Sequence, residues 1–499
     1  MFRATRRLGG GLAAFGIVWL AVWLLAACDS SGGDSRSDGD AAASDGDTEL
    51  DNETEPVADG DEEVEIDEEE EVNTFPPESQ TPLFERGLIL PPDSLPCTPV
   101  STGAPQNECN HHGSVVAELP DGAVAALWYH GEFEKSLDSR LVWSRLAPGA
   151  SEWTWPELVY DDPDLSEGNA TLWVHEDETL FVFFVTIFGG GWDEARVRLL
   201  RSHDGGETWE GPVMLREDYC WNIRHRPLRL VNGELLLPLY NECLALPVFM
   251  RSADDFETWT EEGHGSGQYL LDHGGQIQPA LIHLTDGGVA AITRDGTSFR
   301  RIRRMTSHDQ GATWTPSELT GLPNSGTSVD WVRLLDGRVV VVFNNDPDQR
   351  FPLSVALSRD EGRTFIALRD LNADCEFEGG CSWAYPSIMQ SRKDGTIWVT
   401  YTHDRKTIGW VHFNEAWLAQ GGGTSNISCS PSAACKDGGC WATCENDDGC
   451  EAGQVCRDRA CRTPCADAAT CASDQRCGEN GFCAPKVEGE RIDVLCLEE

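Results

Sequence analysis

Basic residues are scarce in this chain of 499 residues, which has 38 Lys and Arg against 84 Asp and Glu and a formal net charge of −46. Binding to a nucleic-acid backbone needs clustered Lys and Arg, so this charge balance disfavours DNA and RNA as partners. No P-loop lysine follows the run Gly189-Gly190-Gly191, and the chain contains no haem or zinc signature. We therefore expect no cofactor and no resident metal.

The N-terminus combines a basic start with a single apolar run. Three arginines precede apolar residues that extend to Leu25, and two alanines stand directly before Cys28. Residues 1–28 resemble a bacterial lipoprotein signal peptide, whose cysteine, here Cys28, is lipidated and becomes the first residue of the mature chain. A transmembrane anchor is the alternative. Either origin predicts an exported protein, held by its lipid or anchor at a bacterial membrane in the cell envelope or at the cell surface, where disulfides form.

Residues 29–79 are predicted to be an acidic, disordered linker. Between 29 and 72 the chain has 20 Asp and Glu against one basic residue, Arg36, so 20 − 1 gives 19 of its 46 excess negative charges. With almost no apolar side chains, the segment cannot offset the entropy lost on ordering. We expect it to hold the folded body away from the membrane, and calcium binding by the acidic run is the alternative.

The C-terminal region, residues 421–499, is rich in cysteine and has no histidine from Cys429 onward. Of the 19 cysteines, 12 lie in this region, and a set of four recurs 21 residues later: Cys440, Cys444, Cys450 and Cys456, then Cys461, Cys465, Cys471 and Cys477. In an exported chain these favour a disulfide-stapled region over metal sites. Six more cysteines lie in the central body, where Cys375 and Cys381 are placed to close a short loop. The region is either a stiff spacer or a contact module, and the sequence names no protein partner for it.

A motif of the form S-x-D-x-x-x-T-W/F recurs in the central body, at 202–209, 252–259, 307–314 and 358–365, with a degenerate copy at 144–155. Six turn signals alternate with apolar runs, namely Asp121-Gly122, Glu176-Asp177, Asn232-Gly233, Asp286-Gly287, Asp336-Gly337 and Asp394-Gly395. Asn-Gly and Asp-Gly supply the positive φ that a tight hairpin needs. Six hairpins, each with a second strand pair, predict an all-β, six-bladed β-propeller over residues 80–420, followed by the small disulfide-rich region.

The motif itself is predicted to be structural. Its Ser and Asp can bond backbone groups of their own turn, and Gly206, Gly311 and Gly362 relieve strain there. The final Trp or Phe can pack down between strands. We expect these turns to act as staples on the outer rim of the blades and to take no direct part in catalysis.

The repeated motif resembles the Asp-box, or BNR, repeat of the sialidase superfamily. Further segments between residues 108 and 415 are similar to bacterial sialidase-like proteins, among them WNIRHRPLRL, QIQPALIHLTDGGVAAITR and AYPSIMQSRKDGTIWVTYTHDR. In that family three arginines grip the substrate carboxylate, a tyrosine activated by a glutamate is the nucleophile, and an aspartate is the acid/base. A neutral tyrosine suits an anionic sugar because the sugar repels a carboxylate nucleophile, and the planar guanidinium fork binds a carboxylate through two parallel bonds.

Carried over by position, the resemblance places Arg294 and Arg350 as the second and third carboxylate-binding arginines and Tyr385 as the nucleophile or general acid. The chain departs from the family at two points. No arginine occurs at 109–113, where the first-blade arginine is expected, and Gln278 stands where the activating glutamate is expected. An amide cannot take a proton from Tyr385, so the chemistry of the family does not transfer whole.

Other side chains are candidates to fill these gaps. His111 or His112 can replace the first arginine or act as a general base, since histidine titrates near neutral pH, although a buried pair or a capped loop is the structural alternative. Glu134 and Glu242 are candidate proton carriers or structural residues. Additional substrate contacts are expected from Gln278 and from three arginines, Arg224, Arg226 and Arg405.

The leading hypothesis is a sialidase-like glycoside hydrolase that cleaves terminal sialic or uronic acids at the propeller centre. Two alternatives remain open. A polysaccharide lyase would use a His and Tyr pair to remove the C5 proton of a uronate while arginine neutralises its carboxylate. A cell-surface protein that binds glycans without catalysis would also fit the cysteine-rich region.

Overall fold

The computed structural model describes residues 80–97, 109–262, 267–365, 367–372 and 381–420, and short parts of the C-terminal region, namely 433–436, 439–442, 450, 454–457, 460–464, 475–477 and 483–485. The predicted signal peptide with Cys28, residues 1–28, and the predicted linker, residues 29–79, lie outside the described residues. In the described part of the chain, no helix has the length and apolar character needed to cross a bilayer.

The described residues from Phe84 to Phe413 form six antiparallel sheets, so the six-bladed propeller predicted from the hairpin signals is confirmed. The strands are β1 (Phe84–Leu88); in blade 1, β2 (Asn110–Glu118), β3 (Val124–Gly131), β4 (Arg140–Leu146) and β5 (Glu157–Tyr160); in blade 2, β6 (Ser166–Val174), β7 (Leu180–Ile187), β8 (Ala195–Ser202) and β9 (Glu210–Met214); in blade 3, β10 (Trp221–Ile223), β11 (Leu228–Arg229), β12 (Leu235–Asn241), β13 (Leu246–Ser252) and β14 (Thr260–Glu262).

The chain continues with blade 4, β15 (Gln276–His283), β16 (Val289–Asp295), β17 (Arg301–Ser307) and β18 (Glu318–Pro323); blade 5, β19 (Asp330–Arg333), β20 (Val339–Asn344), β21 (Leu353–Ser358) and β22 (Ala367–Asn372); and blade 6, β23 (Trp383–Gln390), β24 (Ile397–His403) and β25 (Thr407–Phe413). Helix α1 (Gly267–His273) precedes blade 4, helix α2 (Glu415–Ala419) follows blade 6, and a short 3₁₀ turn spans Trp192–Glu194.

Strand β1 closes the ring. It pairs antiparallel with β25, with Phe84 opposite Phe413 and Leu88 opposite Gly409, and so becomes the outermost strand of blade 6. The Phe84 ring stacks on Trp417 of α2 at a centroid distance of 4.4 Å. One blade is thus built from both ends of the propeller sequence, which the spacing of hairpin signals did not indicate.

The apolar core lies between blades. One cluster joins blade 1 to blade 2 through residues such as Leu127 and Val182, and another joins blade 4 to blade 5 through Ile292 and Val341. The seams between blades 2 and 3, 3 and 4, 5 and 6, and 6 and 1 are filled in the same way. Each blade therefore buries its apolar side chains against its neighbours, as a repeat architecture requires.

The turns between the first and second strands of the blades have the predicted positive φ. Five are glycines, at Gly122, Gly233, Gly287, Gly337 and Gly395. In blade 2 the residue is Glu178, with φ of 72°. The turn there is therefore centred one residue beyond the predicted Glu176-Asp177 pair, and a side chain accepts a backbone conformation that glycine adopts more easily.

The four Asp-box turns make the same bonds in every copy, which confirms their structural role. In the first, the Ser202 hydroxyl accepts the Gly206 N–H at 2.8 Å and lies 2.8 Å from Asp204. The Asp204 carboxylate accepts the backbone N–H of Thr208 at 2.9 Å. These bonds recur around Asp254, Asp309 and Asp360. Each box joins the last two strands of its blade, on the outer half of the sheet.

The boxes also join neighbouring blades. The rings of Trp209 in blade 2 and Trp143 in blade 1 lie 5.7 Å apart, and Trp314 in blade 4 stacks on Phe249 in blade 3 at 4.3 Å. In blades 2, 3 and 4, an arginine on the strand before the box donates to a backbone carbonyl oxygen in the box of the following blade. These contacts are Arg201 to Asp255 at 3.0 Å, Arg251 to Gln310 at 2.5 Å and Arg304 to Glu361 at 3.0 Å. The motif is therefore a staple within and between blades.

The described parts of the C-terminal region form three two-stranded hairpins, β26 (Ala433–Lys436) with β27 (Gly439–Ala442), β28 (Val455–Arg457) with β29 (Ala460–Arg462), and β30 (Gln475–Cys477) with β31 (Cys483–Pro485). Each hairpin places two cysteines opposite each other, for example Cys456 and Cys461. Cys461 is bonded to Cys450. Disulfides thus support the predicted stapled region.

Disulfides also tie the loops of the propeller. Cys97 is bonded to Cys109 just before blade 1, and Cys220 is bonded to Cys243 in blade 3. Cys381 is disulfide-bonded as well, while the other end of its predicted loop, Cys375, lies outside the described residues.

Candidate functional site

The innermost strand of four blades contains a break in register near its first residues. These breaks fall between His112 and Val115, Gly168 and Thr171, Ile277 and Ala280, and Ala384 and Ser387. At each break one residue has positive φ: Gly113 (69°), Asn169 (32°), Gln278 (59°) and Tyr385 (54°). A bulge re-aims a side chain, and three of these residues accept backbone strain without being glycine.

The strained polar residues meet at the centre of the ring. Tyr240, near the end of β12, accepts the Asn169 amide N–H at 2.9 Å and lies 3.5 Å from Nε2 of Gln278. Gln278 Nε2 also lies 3.4 Å from the hydroxyl of Tyr385. Arg294 Nη1 donates to the same hydroxyl at 3.0 Å. Two donors, an amide and a guanidinium, therefore face the Tyr385 oxygen.

His112 packs on the other side of Tyr385. The two ring centroids lie 4.2 Å apart, and His112 Nδ1 is 2.9 Å from the Thr402 hydroxyl. Burial lowers the pKa of His112 well below its usual value, and the positive charges of Arg405 and Arg350 lower it further. The imidazole is therefore neutral near pH 7 and holds an extra proton poorly.

Three arginines, Arg294, Arg350 and Arg405, lie close enough to one another to interact electrostatically at the Tyr385 site. Besides Arg294, Arg350 has its Cζ 5.7 Å from the Tyr385 ring centroid, and Arg405 follows β24 at the seam of blades 6 and 1. Burial lowers the pKa of Arg350, and the charges of Arg294 and Arg405 add to this effect. Among the residues that the structure describes, no hydrogen-bond partner of the Arg350 guanidinium is found. Three mutually repelling cations at one point make a site for an anion.

Two carboxylates border the same site, in different environments. Glu134 forms an ion pair with Arg405 at 2.6 Å, and its other oxygen accepts the Trp192 indole N–H at 3.0 Å. Glu242 follows β12, beside the disulfide at Cys243. Burial raises the pKa of Glu242, which Arg294 partly opposes. A carboxyl group that keeps its proton more readily is suited to donate it.

Arg224 lies beneath the site. It falls in the gap between β10 and β11, is fully buried, and donates to the carbonyl oxygens of Gly113 (3.1 Å), Ser114 (2.8 Å) and Tyr385 (2.8 Å). Its Cζ is 5.4 Å from the Tyr385 ring centroid. The structure therefore does not expose Arg224 as the expected substrate contact. Because its donors are occupied by these carbonyl oxygens and by the Ser328 hydroxyl, it positions the bulges of blades 1 and 6.

Two further candidates lie away from Tyr385. Arg226 donates to the carbonyl oxygen of Ile388 at 3.2 Å and pairs with the buried Asp330 at 3.4 Å. His111 is fully buried, accepts the Trp128 indole N–H at 3.0 Å and has a pKa lowered by burial. Neither side chain faces the site, so the structure supports the structural alternative for both.

Some residues of the site were not predicted from the sequence: Asn169, Trp192, Tyr240 and Thr402. The available signal was weak, because Asn169 is one of several polar residues in a strand that is buried over most of its length. Tyr240 lies two residues before Glu242 and so faces the same way along the strand. In the described part of the chain, no group of three or more His, Cys, Asp or Glu is arranged to hold a metal ion.

The fold and the arginine-lined site define a sialidase-like protein of the BNR superfamily. A family profile described as the BNR repeat-like domain matches residues 122–399, and the chain belongs to this family. A search of curated proteins found no match.

Solved structures share the fold at low sequence identity. A protein of unknown function from Dyadobacter fermentans is 18% identical with a TM-score of 0.52, over 62% of this chain and 95% of that one. The intramolecular trans-sialidase from Ruminococcus gnavus, solved with oseltamivir carboxylate, is 13% identical with a TM-score of 0.51, over 62% and 95%. The Trypanosoma rangeli sialidase, solved with the inhibitor DANA, is 13% identical with a TM-score of 0.53, over 68% of this chain and 60% of that one.

Proposed function

We propose that the protein is a sialidase-like glycoside hydrolase that removes terminal acidic sugars, of the sialic or uronic type, from glycans. One observation carries the proposal: the Tyr385 hydroxyl lies 3.0 Å from Arg294 Nη1, within a group of three arginines. Guanidinium groups bind a sugar carboxylate and also stabilise the phenolate that attacks beside it. Export to a bacterial cell envelope and anchoring through Cys28 remain part of this proposal.

The reaction is proposed in two displacements. Tyr385 loses its proton to solvent, with Arg294 stabilising the phenolate, because neither Gln278 nor the neutral His112 is a suitable acceptor. The phenolate oxygen then forms a bond to the anomeric carbon as the glycosidic C–O bond breaks, and Glu242 protonates the leaving oxygen. Water next attacks the same carbon, gives its proton to Glu242 and releases the phenolate. The sugar leaves with retained configuration.

A polysaccharide lyase is the second candidate, favoured by Gln278 at the position of the expected base. In that reaction the Tyr385 phenolate removes the C5 proton of a uronate while arginines neutralise its carboxylate. The C4–O bond then breaks, the leaving oxygen takes up the proton that Tyr385 received, and a C4–C5 double bond forms. A protein that only binds glycans would make neither product.

The test is product analysis with the full-length chain, exported so that its disulfides form. Sialyl-lactose and a panel of uronic-acid oligosaccharides are the substrates, and mass spectrometry and ultraviolet absorbance are the readouts. We expect release of an acidic monosaccharide, abolished in Tyr385→Phe and retained in the matched control Tyr160→Phe on outer strand β5. An unsaturated product would instead establish the lyase. A folded protein that binds glycans but makes no product would refute both.

A further inference from the structure

Arg405 belongs to a strained turn that is fixed on both sides. Asp404 and Arg405, between β24 and β25, have φ of 52° and 59°, a conformation that non-glycine residues seldom adopt. The Asp404 N–H donates to the Ser382 carbonyl oxygen at 2.8 Å, and Asp404 Oδ1 accepts the Ser382 N–H at 2.6 Å. The Arg405 carbonyl oxygen accepts the His111 N–H at 2.9 Å. Strain of this kind persists where the surroundings fix it, often at a binding site.

The turn places Arg405 beside the segment of blade 1 that lacks an arginine. Its backbone is bonded to His111, within the arginine-free residues 109–113. Its charge acts on Arg350, whose charge also interacts with Arg294 and with Tyr385. An arginine from blade 6 therefore lies beside the segment of blade 1 in which an arginine was expected.

Glu134 is the carboxylate of this chain that pairs with Arg405. Its oxygen lies 2.6 Å from Arg405 Nη1, and the side chains of Arg405 and Glu134 are 33% and 27% exposed. The loop that carries Glu134 is held by Asp138, whose Oδ1 accepts the Glu132 N–H at 2.9 Å and the Ser136 hydroxyl at 2.5 Å. A partly exposed ion pair adds little net stability, so another carboxylate can displace it.

We propose that Arg405 binds the substrate carboxylate together with Arg294 and Arg350, and that Glu134 masks Arg405 until that carboxylate takes its place. This assignment rests on the proposed function, because it concerns the same site. It makes Glu134 a competitor of the substrate and leaves proton transfer to Glu242. The exchange selects for charged sugars, because a neutral sugar has no carboxylate to replace Glu134 at Arg405.

The experiment is calorimetric titration of the full-length chain, in which no turnover is needed. The probes are N-acetylneuraminic acid and glucuronic acid, each compared with its uncharged methyl ester. Arg405→Gln is expected to weaken binding of the acids at least about tenfold, since one bidentate charged contact is lost, and to leave the esters unchanged. Arg405→Asn, whose side chain tolerates positive φ, guards against a folding defect of the turn. The matched control is Arg140→Gln, an arginine paired with Asp161 away from Tyr385.

Glu134→Gln separates masking from catalysis. If Glu134 competes with the ligand, the variant binds the acids several-fold more tightly than the native chain, and this gain disappears in the double variant with Arg405→Gln. Three results would overturn the proposal: weaker acid binding in Glu134→Gln, a lower kcat of Glu134→Gln at unchanged KM, or unchanged acid binding in Arg405→Gln. Absence of acid binding to both the native chain and Glu134→Gln would also overturn it. Tighter acid binding by Glu134→Gln than by the native chain, without any product from either, would refute the proposed hydrolase while supporting the masking exchange.

Discussion

The two ends of the blades differ in whether the same side chains recur from blade to blade. At the end that carries the Asp boxes, the same Ser and Asp bonds recur in four blades around Asp204, Asp254, Asp309 and Asp360. At the other end, where the innermost strands begin, equivalent bulges carry Gly113, Asn169, Gln278 and Tyr385. Repetition satisfies the local needs of the backbone, whereas a binding site needs different side chains at equivalent backbone positions.

The same contrast holds for the carboxylates. The Asp204 carboxylate accepts bonds from the Thr208 hydroxyl and N–H, which lower its pKa to about 2. Near the first residues of β6, burial raises the pKa of Glu167 to about 8. Hydrogen bonds to an exposed carboxylate stabilise its charge, and burial opposes that charge. The box end is therefore built from ionised acids, and the opposite end contains acids that retain their protons.

Replacing Tyr385 with Phe should have the largest effect on activity and almost none on stability. Loss of the reacting hydroxyl should lower kcat/KM by at least about a thousandfold. The ring and its contact with His112 remain, so the melting temperature should stay close to that of the native chain. Steady-state kinetics and thermal unfolding measure the two quantities. Retention of activity in Tyr385→Phe would place the chemistry on another residue.

Removing the guanidinium of Arg224 should damage stability most. Arg224→Met leaves the carbonyl oxygens of Gly113, Ser114 and Tyr385 buried without their donor, at a cost of about 2–4 kcal/mol in the free energy of unfolding. The matched control is Arg140→Met, which removes a partly exposed guanidinium paired with Asp161 and should cost less. Urea unfolding of both variants makes the comparison, and equal losses would argue against a special role for Arg224.

Breaking one Asp box should have a moderate and purely structural effect. Ser307→Ala removes the acceptor of the Gly311 N–H at 2.8 Å and the donor to Asp309 at 2.7 Å. The expected loss is about 1–2 kcal/mol of unfolding free energy, with unchanged kcat and KM. A change in kinetics at unchanged stability would show that the box end communicates with the site.

The effect of Glu167→Gln on stability should depend on pH. Burial raises the pKa of Glu167 from 4.5 to about 8, so the folded chain binds this proton more tightly than the unfolded chain. Its stabilising contribution is complete below about pH 4.5 and is lost as the pH rises to about 8. Glutamine does not ionise, so the melting temperature of the variant relative to the native chain should rise over this range. A difference independent of pH would contradict the assignment.

The sequence was sufficient for the parts of the fold that repeat. Turn signals such as Asn232-Gly233 and the box around Asp309 are local, so they predict both the blades and the structural role of the boxes. The closing strand β1 has no such signal, because its place depends on pairing with β25 more than 300 residues later.

The site was less accessible from the sequence, because its geometry depends on bulges and on contacts between distant blades. Matching sequence positions to the site residues of the family identified Tyr385, Arg294 and Arg350, and the fold brings these three residues together. The same matching did not show that Arg224 donates to backbone carbonyl oxygens of the bulges, because burial of an arginine is visible only in the structure. Tyr240 was missed because nothing in its own strand distinguishes it from a core tyrosine.

If Tyr385 is the nucleophile of an acidic-sugar site, covalent trapping should capture the sugar on its phenolic oxygen. The full-length chain is incubated with fluorinated sialyl and uronyl fluorides, which slow the second displacement, and the peptides are then mapped by mass spectrometry. We expect one sugar attached to Tyr385 and no label in Tyr385→Phe. Label on another residue, or cleavage of a natural substrate without any trapped intermediate, would contradict this role of Tyr385.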